Sequence, residues 1–367
     1  MQTKVLWFNH RDISHPRAGG AERTILELSK KFGRIGIQIT LVTGGTRKGE
    51  PVSTPENLDI NRFRGNLGPH FAHPHFLKGD YDVVVDDLAH VVPWFSEMVG
   101  SIPGTVFFRH LHARSLKGQV SRPLELSLGL IERNYGRIYK KWPFVTESST
   151  GVSDLKNMRI QPERIVQIEP GVDTDKFRPG AKTDFPSIVF VGRMMEYKRP
   201  DHAVIAMKQV TSQFPDAKLF MIGDGPFLDY VRDLVSSMKL GSNVEILGKI
   251  SDQELVRVIS ASWVNIHTSI TEGWGYSIME ASACGVPTVA YRVPGVVDAI
   301  DLGRNGYLVQ DGDVIELGKT LISQLSSPES MAASSRHYAE LHTWEKSAKK
   351  WSQHLRNVIS GANYDSF

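Results

Sequence analysis

Short apolar runs alternate with stretches of helical spacing along almost the whole chain, and this alternation restricts the fold more than any other feature. Lys4–Phe8, Gln38–Val42, Tyr81–Val85 and Thr105–Phe108 read as buried strands. Between the first two, Ala21, Ile25, Leu28 and Phe32 fall on one helical face. Phe144–Thr146, a helix from about Ser148 and the strand Ile165–Ile168 complete a first set. Lys176–Gly180 is polar and punctuated by Pro179 and Gly180, as a linker would be. The pattern then restarts with Ser187–Val191, Lys218–Ile222, Val244–Leu247, Trp263–His267, Thr288–Tyr291 and Gly306–Val309. Strands separated by helices imply parallel sheets wrapped by helices. At 367 residues the chain is too long for one ordinary core, so two Rossmann-like halves in tandem are expected, divided near Gly180.

Composition narrows the class. A hydrophobic content of 41% and a charged content of 23% are those of a globular protein. A net charge of +3 is far from the concentrated charge of a nucleic-acid binder, although weak attraction to anionic substrates or an anionic membrane surface stays open. The first residues lack the architecture of a signal peptide, and no apolar run is long enough to span a bilayer. A single cysteine, Cys284, fits a reducing compartment. The expected location is cytoplasmic, with peripheral membrane contact undecided.

The chemistry concentrates in Thr271–Val289, T-E-G-W-G-Y-S-I-M-E-A-S-A-C-G-V-P-T-V. Tyr276–Ala283 reads as a short helix entered through Gly273 and Gly275 and stopped by Gly285 and Pro287. Such an entry presents backbone N–H groups and a positive dipole end, which suit phosphate. Glu280, about one turn inside, could accept two hydrogen bonds from a vicinal diol such as ribose. Glu272, just ahead of the helix, lies where a sugar attached to the diphosphate would project. Phosphate, ribose and sugar together describe a nucleotide-sugar site.

The Glu272/Glu280 spacing, with its Gly273-Trp274-Gly275 insert and the closing Gly285-Val286-Pro287, resembles the donor-site signature of retaining glycosyltransferases of family 4. The resemblance covers nearly the whole chain, most weakly over Gly44–Gly79. It implies the GT-B fold: two Rossmann-like domains with parallel sheets facing an interdomain cleft. Residues 1–180 would form the acceptor side and 181–342 the donor side. A helix in 343–367, with Trp344, Ala348, Trp351, Leu355 and Val358 on one face, would cross back to the first domain. The Gly19-Gly20 turn would face the donor diphosphate. A histidine after Thr105–Phe108 would stand near the donor sugar; His110 and His112 both qualify, and His110 is nearer the strand end. Gly192-Arg193…Lys198 resembles the family's phosphate clamp, Arg193 binding bidentately and Lys198 as a point charge. In Gly223-Asp224-Gly225-Pro226, Gly223 would approach the nucleotide, and base contacts would fall near Ile250. Trp274, Tyr276 and Ser277 join the donor set. Glu169-Pro170-Gly171-Val172-Asp173 resembles the family's G-V-D turn, which often has Asn at the Pro170 position.

The resemblance implies transfer of a sugar from a UDP-, GDP- or ADP-sugar to a hydroxyl of a glycan, lipid-linked or small-molecule acceptor, with retained configuration and neither metal nor cofactor. Catalysis would concentrate on Glu272, Arg193, Lys198 and His110, with fixed donors worth roughly 3 kcal/mol each at the leaving diphosphate. A nucleotide-sugar hydrolase or epimerase of the same fold and a non-catalytic transferase subunit are the competing readings. A phosphorylase would need a pyridoxal site, for which no signature is seen.

Other features read structurally. His70, His73 and His75 lie in Arg62–Gly79, which reads as an irregular, exposed acceptor-side loop with no Cys or acid to complete a zinc site. Pro123–Lys141 reads as one amphipathic helix whose stripe of Leu124, Leu128, Ile131, Tyr135 and Ile138 is core packing. Of two D-x-D patterns, Asp313 reads as a helix cap and Asp173 as part of a turn. Cys284 reads as a small packing residue.

Overall fold

The computed structural model describes residues 2–15, 18–45, 53–65, 67–90, 92–112 and 121–361. Pro16 and Arg17, just before the Gly19-Gly20 turn, and Ala113 and Arg114, just after His112, lie outside these residues. The chain divides into two compact units, Met1–Gly171 with Trp344–Phe367, and Val172–Thr343.

In the first unit the strands β1 (Thr3–Phe8), β2 (Ile37–Gly45), β3 (Leu58–Arg64), β4 (Val83–Leu88), β5 (Gly104–Phe108), β6 (Phe144–Thr146) and β7 (Ile165–Gln167) form a sheet. Its order is β3-β2-β1-β4-β5-β6-β7, parallel throughout. The helices are α1 (Gly20–Phe32), α2 (Gly68–Phe76), α3 (Arg122–Arg133) and α4 (Ser149–Asn157), the last capped by Ser148. Val5–Phe8 of β1 and all of β4 are buried, as central parallel strands covered by helices must be, although β4 carries Asp86 and Asp87 at its carboxyl end.

Two expectations fail here. Arg62–Gly79 is not irregular: it holds the end of β3 and then α2, in which His73 is buried, His70 half-buried and His75 exposed. Pro69 sits in the first helical turn, where its missing N–H costs nothing. Pro123–Lys141 is not one helix either, since it breaks at Asn134 before a short turn at Tyr135–Ile138. Its stripe is only partly core: Tyr135 is buried and Ile131 and Ile138 lean on the core, but Leu124 is exposed.

The second unit repeats the plan with β8 (Ser187–Val191), β9 (Lys218–Ile222), β10 (Val244–Gly248), β11 (Val264–His267), β12 (Thr288–Tyr291) and β13 (Gly306–Val309). Their order is β10-β9-β8-β11-β12-β13, again all parallel. The longer helices are α5 (Pro200–Gln213), α6 (Leu228–Ser237), α7 (Asp252–Ala261), α8 (Tyr276–Ala283), α9 (Val314–Leu325) and α10 (Ala332–Glu340). Asp313 caps α9 by accepting the Glu316 N–H at 2.9 Å, and Asp173 accepts the amides of Asp175 and Lys176 within its turn. The unit begins before Gly180 because Val172 and Phe177 are already buried in its core. The last helix, α11 (Trp344–Ser360), groups with the first unit. There Trp351 packs on Trp7 and Phe107, and His354 Nε2 lies 2.9 Å from Thr105 Oγ1. No helix among the described residues is long and apolar enough to cross a membrane.

Candidate active site

In an open parallel sheet, ligands bind beyond the carboxyl ends of the strands where the order reverses. In the second unit that point lies between β8 and β11. The loop after β8 carries Arg193 and Lys198, and the loop after β11 carries Glu272. Thr268 Oγ1 donates to the carbonyls of Lys198 and Arg199 at 2.8 Å, and the Ile270 N–H to Tyr197 at 2.8 Å, so the two loops are strapped together.

Glu272 is the centre of this assembly. Its Oε1 accepts from Lys198 Nζ, from His267 Nε2 at 3.0 Å and from Ser269 Oγ at 2.6 Å. Burial alone would raise the carboxyl pKa, but the Lys198 charge and the His267 hydrogen bond hold it well below the usual range. Burial likewise pulls Lys198 down, and the Glu272 charge more than reverses this. All these bonds fall on one carboxylate oxygen. Arg193 is exposed, with Nη2 donating to Tyr197 Oη at 2.8 Å. The two cations of the motif are therefore held by different partners.

Gly275 opens α8 with φ +94°, a left-handed conformation that favours glycine. Ser277 follows in the first turn, its Oγ 3.3 Å from His267 Nδ1. Glu280 is buried within α8. Tyr276 and Gly273 are half-buried, as is Ile250, which leans on the core. Two expected donor contacts change character. The Trp274 ring lies in the hydrophobic core, 2% exposed, so its side chain offers no surface to a nucleotide. Gly223 (φ +133°) is required by its own fold, because a Cβ there would stand 1.9 Å from the Gly192 carbonyl oxygen.

In the first unit the reversal lies between β1 and β4. Gly19 and Gly20 open α1, but the Gly19 N–H donates to Glu22 Oε2 at 2.6 Å in a capping box and is already engaged. After β5, Arg109 is buried against Asp87 and Glu147, each at 2.7 Å. His112 is buried and fixed: its N–H donates to Glu132 Oε1 at 2.7 Å and its Nε2 to the Ala89 carbonyl at 2.9 Å. His110 is less buried, its ring centre 4.6 Å from that of His112.

Sequence reasoning missed three histidines that also end strands. His10 follows β1 and His90 follows β4, with ring centres 4.6 Å apart. His10 Nε2 lies 3.3 Å from His70 Nε2, and both rings pack on Trp94. Burial, reinforced by neighbouring positive charge, holds His10 down to about 2 and His90 to about 3. His267 ends β11. The rule that singled out His110, a histidine at a strand's carboxyl end, would have found all three. No group of residues among those described could hold a metal ion.

Two open parallel α/β units in tandem are the architecture of the GT-B fold. Sucrose-phosphate synthase from Thermosynechococcus elongatus superposes with a TM-score of 0.84 over 98% of this chain and 100% of its own, at 19% identity. HepE from Anabaena, solved in complex with UDP-glucose, gives 0.74 over 98% of this chain and 100% of its own, at 15% identity. Residues 18–176 match the family described as Glycosyltransferase Family 4, and residues 172–342 that described as Glycosyl transferases group 1. The two matches together span most of the chain, which belongs to this family of glycosyltransferases. The D-inositol 3-phosphate glycosyltransferase of Corynebacterium aurimucosum is 24% identical over 94% of this chain and 91% of its own length. A GDP-mannose-dependent alpha-(1-6)-phosphatidylinositol monomannoside mannosyltransferase of Mycolicibacterium smegmatis is 29% identical over 48% of this chain and 52% of its own.

Proposed function

We propose that this glycosyltransferase moves a sugar from a nucleoside-diphosphate sugar to an acceptor hydroxyl, with retained anomeric configuration and without a metal. The observation that carries the reading is the Lys198–Glu272–His267 assembly at the switch point of the second sheet, beside the glycine-entered start of α8. Glu272 Oε2 accepts a sugar hydroxyl, while Glu280 serves the ribose. Arg193, the remaining protons of Lys198 and the first-turn amides of α8 meet the diphosphate. That group gains charge as its bond to the sugar breaks, so fixed donors favour the transition state over the bound substrate. The acceptor oxygen bonds to the anomeric carbon, the diphosphate leaves with the bonding pair, and a phosphate oxygen takes the acceptor proton. His110, less buried than His112, is the histidine assigned to the donor sugar.

HepE was solved with UDP-glucose and one relative is named for GDP-mannose, so UDP- and GDP-sugars stand first among donors. Relatives named for inositol phosphate and phosphatidylinositol compounds make a phosphorylated polyol the first acceptor to test. A lipid surface is favoured by α3, on which Arg122, Leu126, Leu130 and Arg133 share an outward face. Leu126 and Leu130 are 69% and 63% exposed. Apolar side chains flanked by arginines suit anionic headgroups.

A thermal-shift panel of UDP-, GDP- and ADP-sugars tests the donor, because a ligand raises the unfolding midpoint according to its affinity. NMR of the product then reads the anomeric configuration. Turnover should survive EDTA; loss restored by Mg²⁺ or Mn²⁺ would refute the metal-free reading, and no shift with any nucleotide sugar would refute the donor site.

A further inference from the structure

His267 stands with its ring between two groups of the donor site proposed above, and the motif assigns it no task. Its side chain is nearly wholly buried. Nε2 lies 3.0 Å from Glu272 Oε1 and Nδ1 lies 3.3 Å from Ser277 Oγ. An ionised carboxylate only accepts, so Nε2 carries a proton. The state of Nδ1 then decides what Ser277 can do. In the neutral ring Nδ1 accepts, and the Ser277 hydroxyl must aim its proton at it. In the imidazolium Nδ1 donates to Ser277 Oγ, and the hydroxyl proton is free to turn outward. Ser277 sits in the first turn of α8, where an anion would meet the helix's leading amides. Only in the second state does that anion also receive the hydroxyl proton.

We propose that His267 is a positioning residue that couples binding of a nucleoside diphosphate to uptake of a proton. The inference rests on the donor-site reading. One proton passes from solvent to Nδ1, and the Ser277 O–H turns from Nδ1 to a phosphate oxygen. No covalent bond to a heavy atom forms or breaks. The charged groups facing the ring set the balance. Glu272, from the loop after β11, favours the imidazolium. Lys198, from the loop after β8, shares the same carboxylate oxygen and opposes it. Ser269 and Ser277 are neutral. A diphosphate adds negative charge on the Ser277 side and tips this balance toward the imidazolium.

Isothermal titration of the full chain with UDP and with GDP, near neutral pH in buffers of different ionisation enthalpy, counts the protons exchanged. Wild type should take up more protons per nucleotide bound than His267→Gln, by up to one. His267→Gln has an amide in place of the ring, which takes up no proton, and should still bind. Ser277→Ala should bind about tenfold more weakly and lose most of that excess uptake. The nucleotide's own phosphate also exchanges protons in this range, so His267 is read from the difference between wild type and His267→Gln, which keeps the Ser277 hydroxyl. Should His267→Gln fail to fold, Ser277→Ala carries the comparison alone. Equal uptake in wild type and variants would overturn the coupling and leave the donor site standing. Failure of wild type to bind either nucleotide would instead overturn the donor site, and this inference with it.

Discussion

Replacing Glu272 by Gln would remove the charge against which Lys198 is held inside the second unit. Breaking such a pair leaves an uncompensated cation, and a stability loss of about 3 kcal/mol is expected, read as a lowered unfolding midpoint. The pH dependence of the pair has a definite sign. Glu272, depressed when folded, contributes stability above the usual carboxylate range and loses it as the pH falls below that range. Lys198, raised when folded, contributes below its usual range and loses it only in strong base. Both contributions are therefore complete at neutral pH. In kinetics, Glu272→Gln should lower turnover while nucleoside-diphosphate affinity stays level or rises, because the substitution frees Lys198. Glu280→Gln should instead weaken the nucleoside diphosphate by about 1.5–3 kcal/mol. Calorimetry and steady-state rates on both variants separate the roles; equal weakening of nucleotide binding would refute the division. Cys284 offers the contrast. Burial pushes its thiol up to about 12, so the thiolate is scarce at neutral pH, and Cys284→Ala should keep turnover within a few-fold.

Among the elements, α3 offers the sharpest test. If its outward face docks on anionic lipid, Leu126→Glu with Leu130→Glu should abolish co-sedimentation with phosphatidylserine vesicles and leave the unfolding midpoint within about 0.5 kcal/mol of wild type. Unchanged sedimentation would refute the docking. The same helix shows where sequence reading stops. α8 and β12 were legible to the residue, because glycines bracket the helix and an uninterrupted apolar run makes a doubly covered strand. In β3, L-D-I-N-R-F-R, the apolar residues are separated by charged and polar ones at an exposed sheet edge, and no apolar run announces it. α2 was hidden by two prolines, of which Pro74 lies within the helix, and its stability comes from packing on β3 and β2 that local sequence does not encode. The candidate site divides in the same way. Glu272, Lys198 and Arg193 were named through the family their motifs resemble, and of these the structure brings Lys198 and Glu272 into contact. His267, a further donor to Glu272, was within reach of the same strand-end rule that singled out His110, whereas the burial of Trp274 depends on contacts remote in sequence.

At the scale of the whole chain, the two units should respond differently to acid. His10, His73, His90 and His354, all in the first unit, are held by burial at about 2, 4, 3 and 3. Each protonates in the unfolded chain near pH 6.5 but stays neutral in the folded one, so each withdraws stability as the pH falls through that interval. The loss approaches about 1.4 kcal/mol per histidine per pH unit. Hydrogen-exchange mass spectrometry at neutral pH and near pH 5 should show peptides of the first unit losing protection well before those of the second. Simultaneous loss in both would contradict it. The placement of α11 has a consequence for how the chain is made. Nascent domains usually fold in the order in which they leave the ribosome. Here the second unit is one uninterrupted segment, complete once Thr343 has emerged, whereas the first still lacks α11, whose Trp351 covers Trp7 and Phe107. The first half to be translated is thus the last to be finished. Its apolar sheet face must wait through synthesis of the whole second unit, which makes stalled or truncated translation its particular hazard.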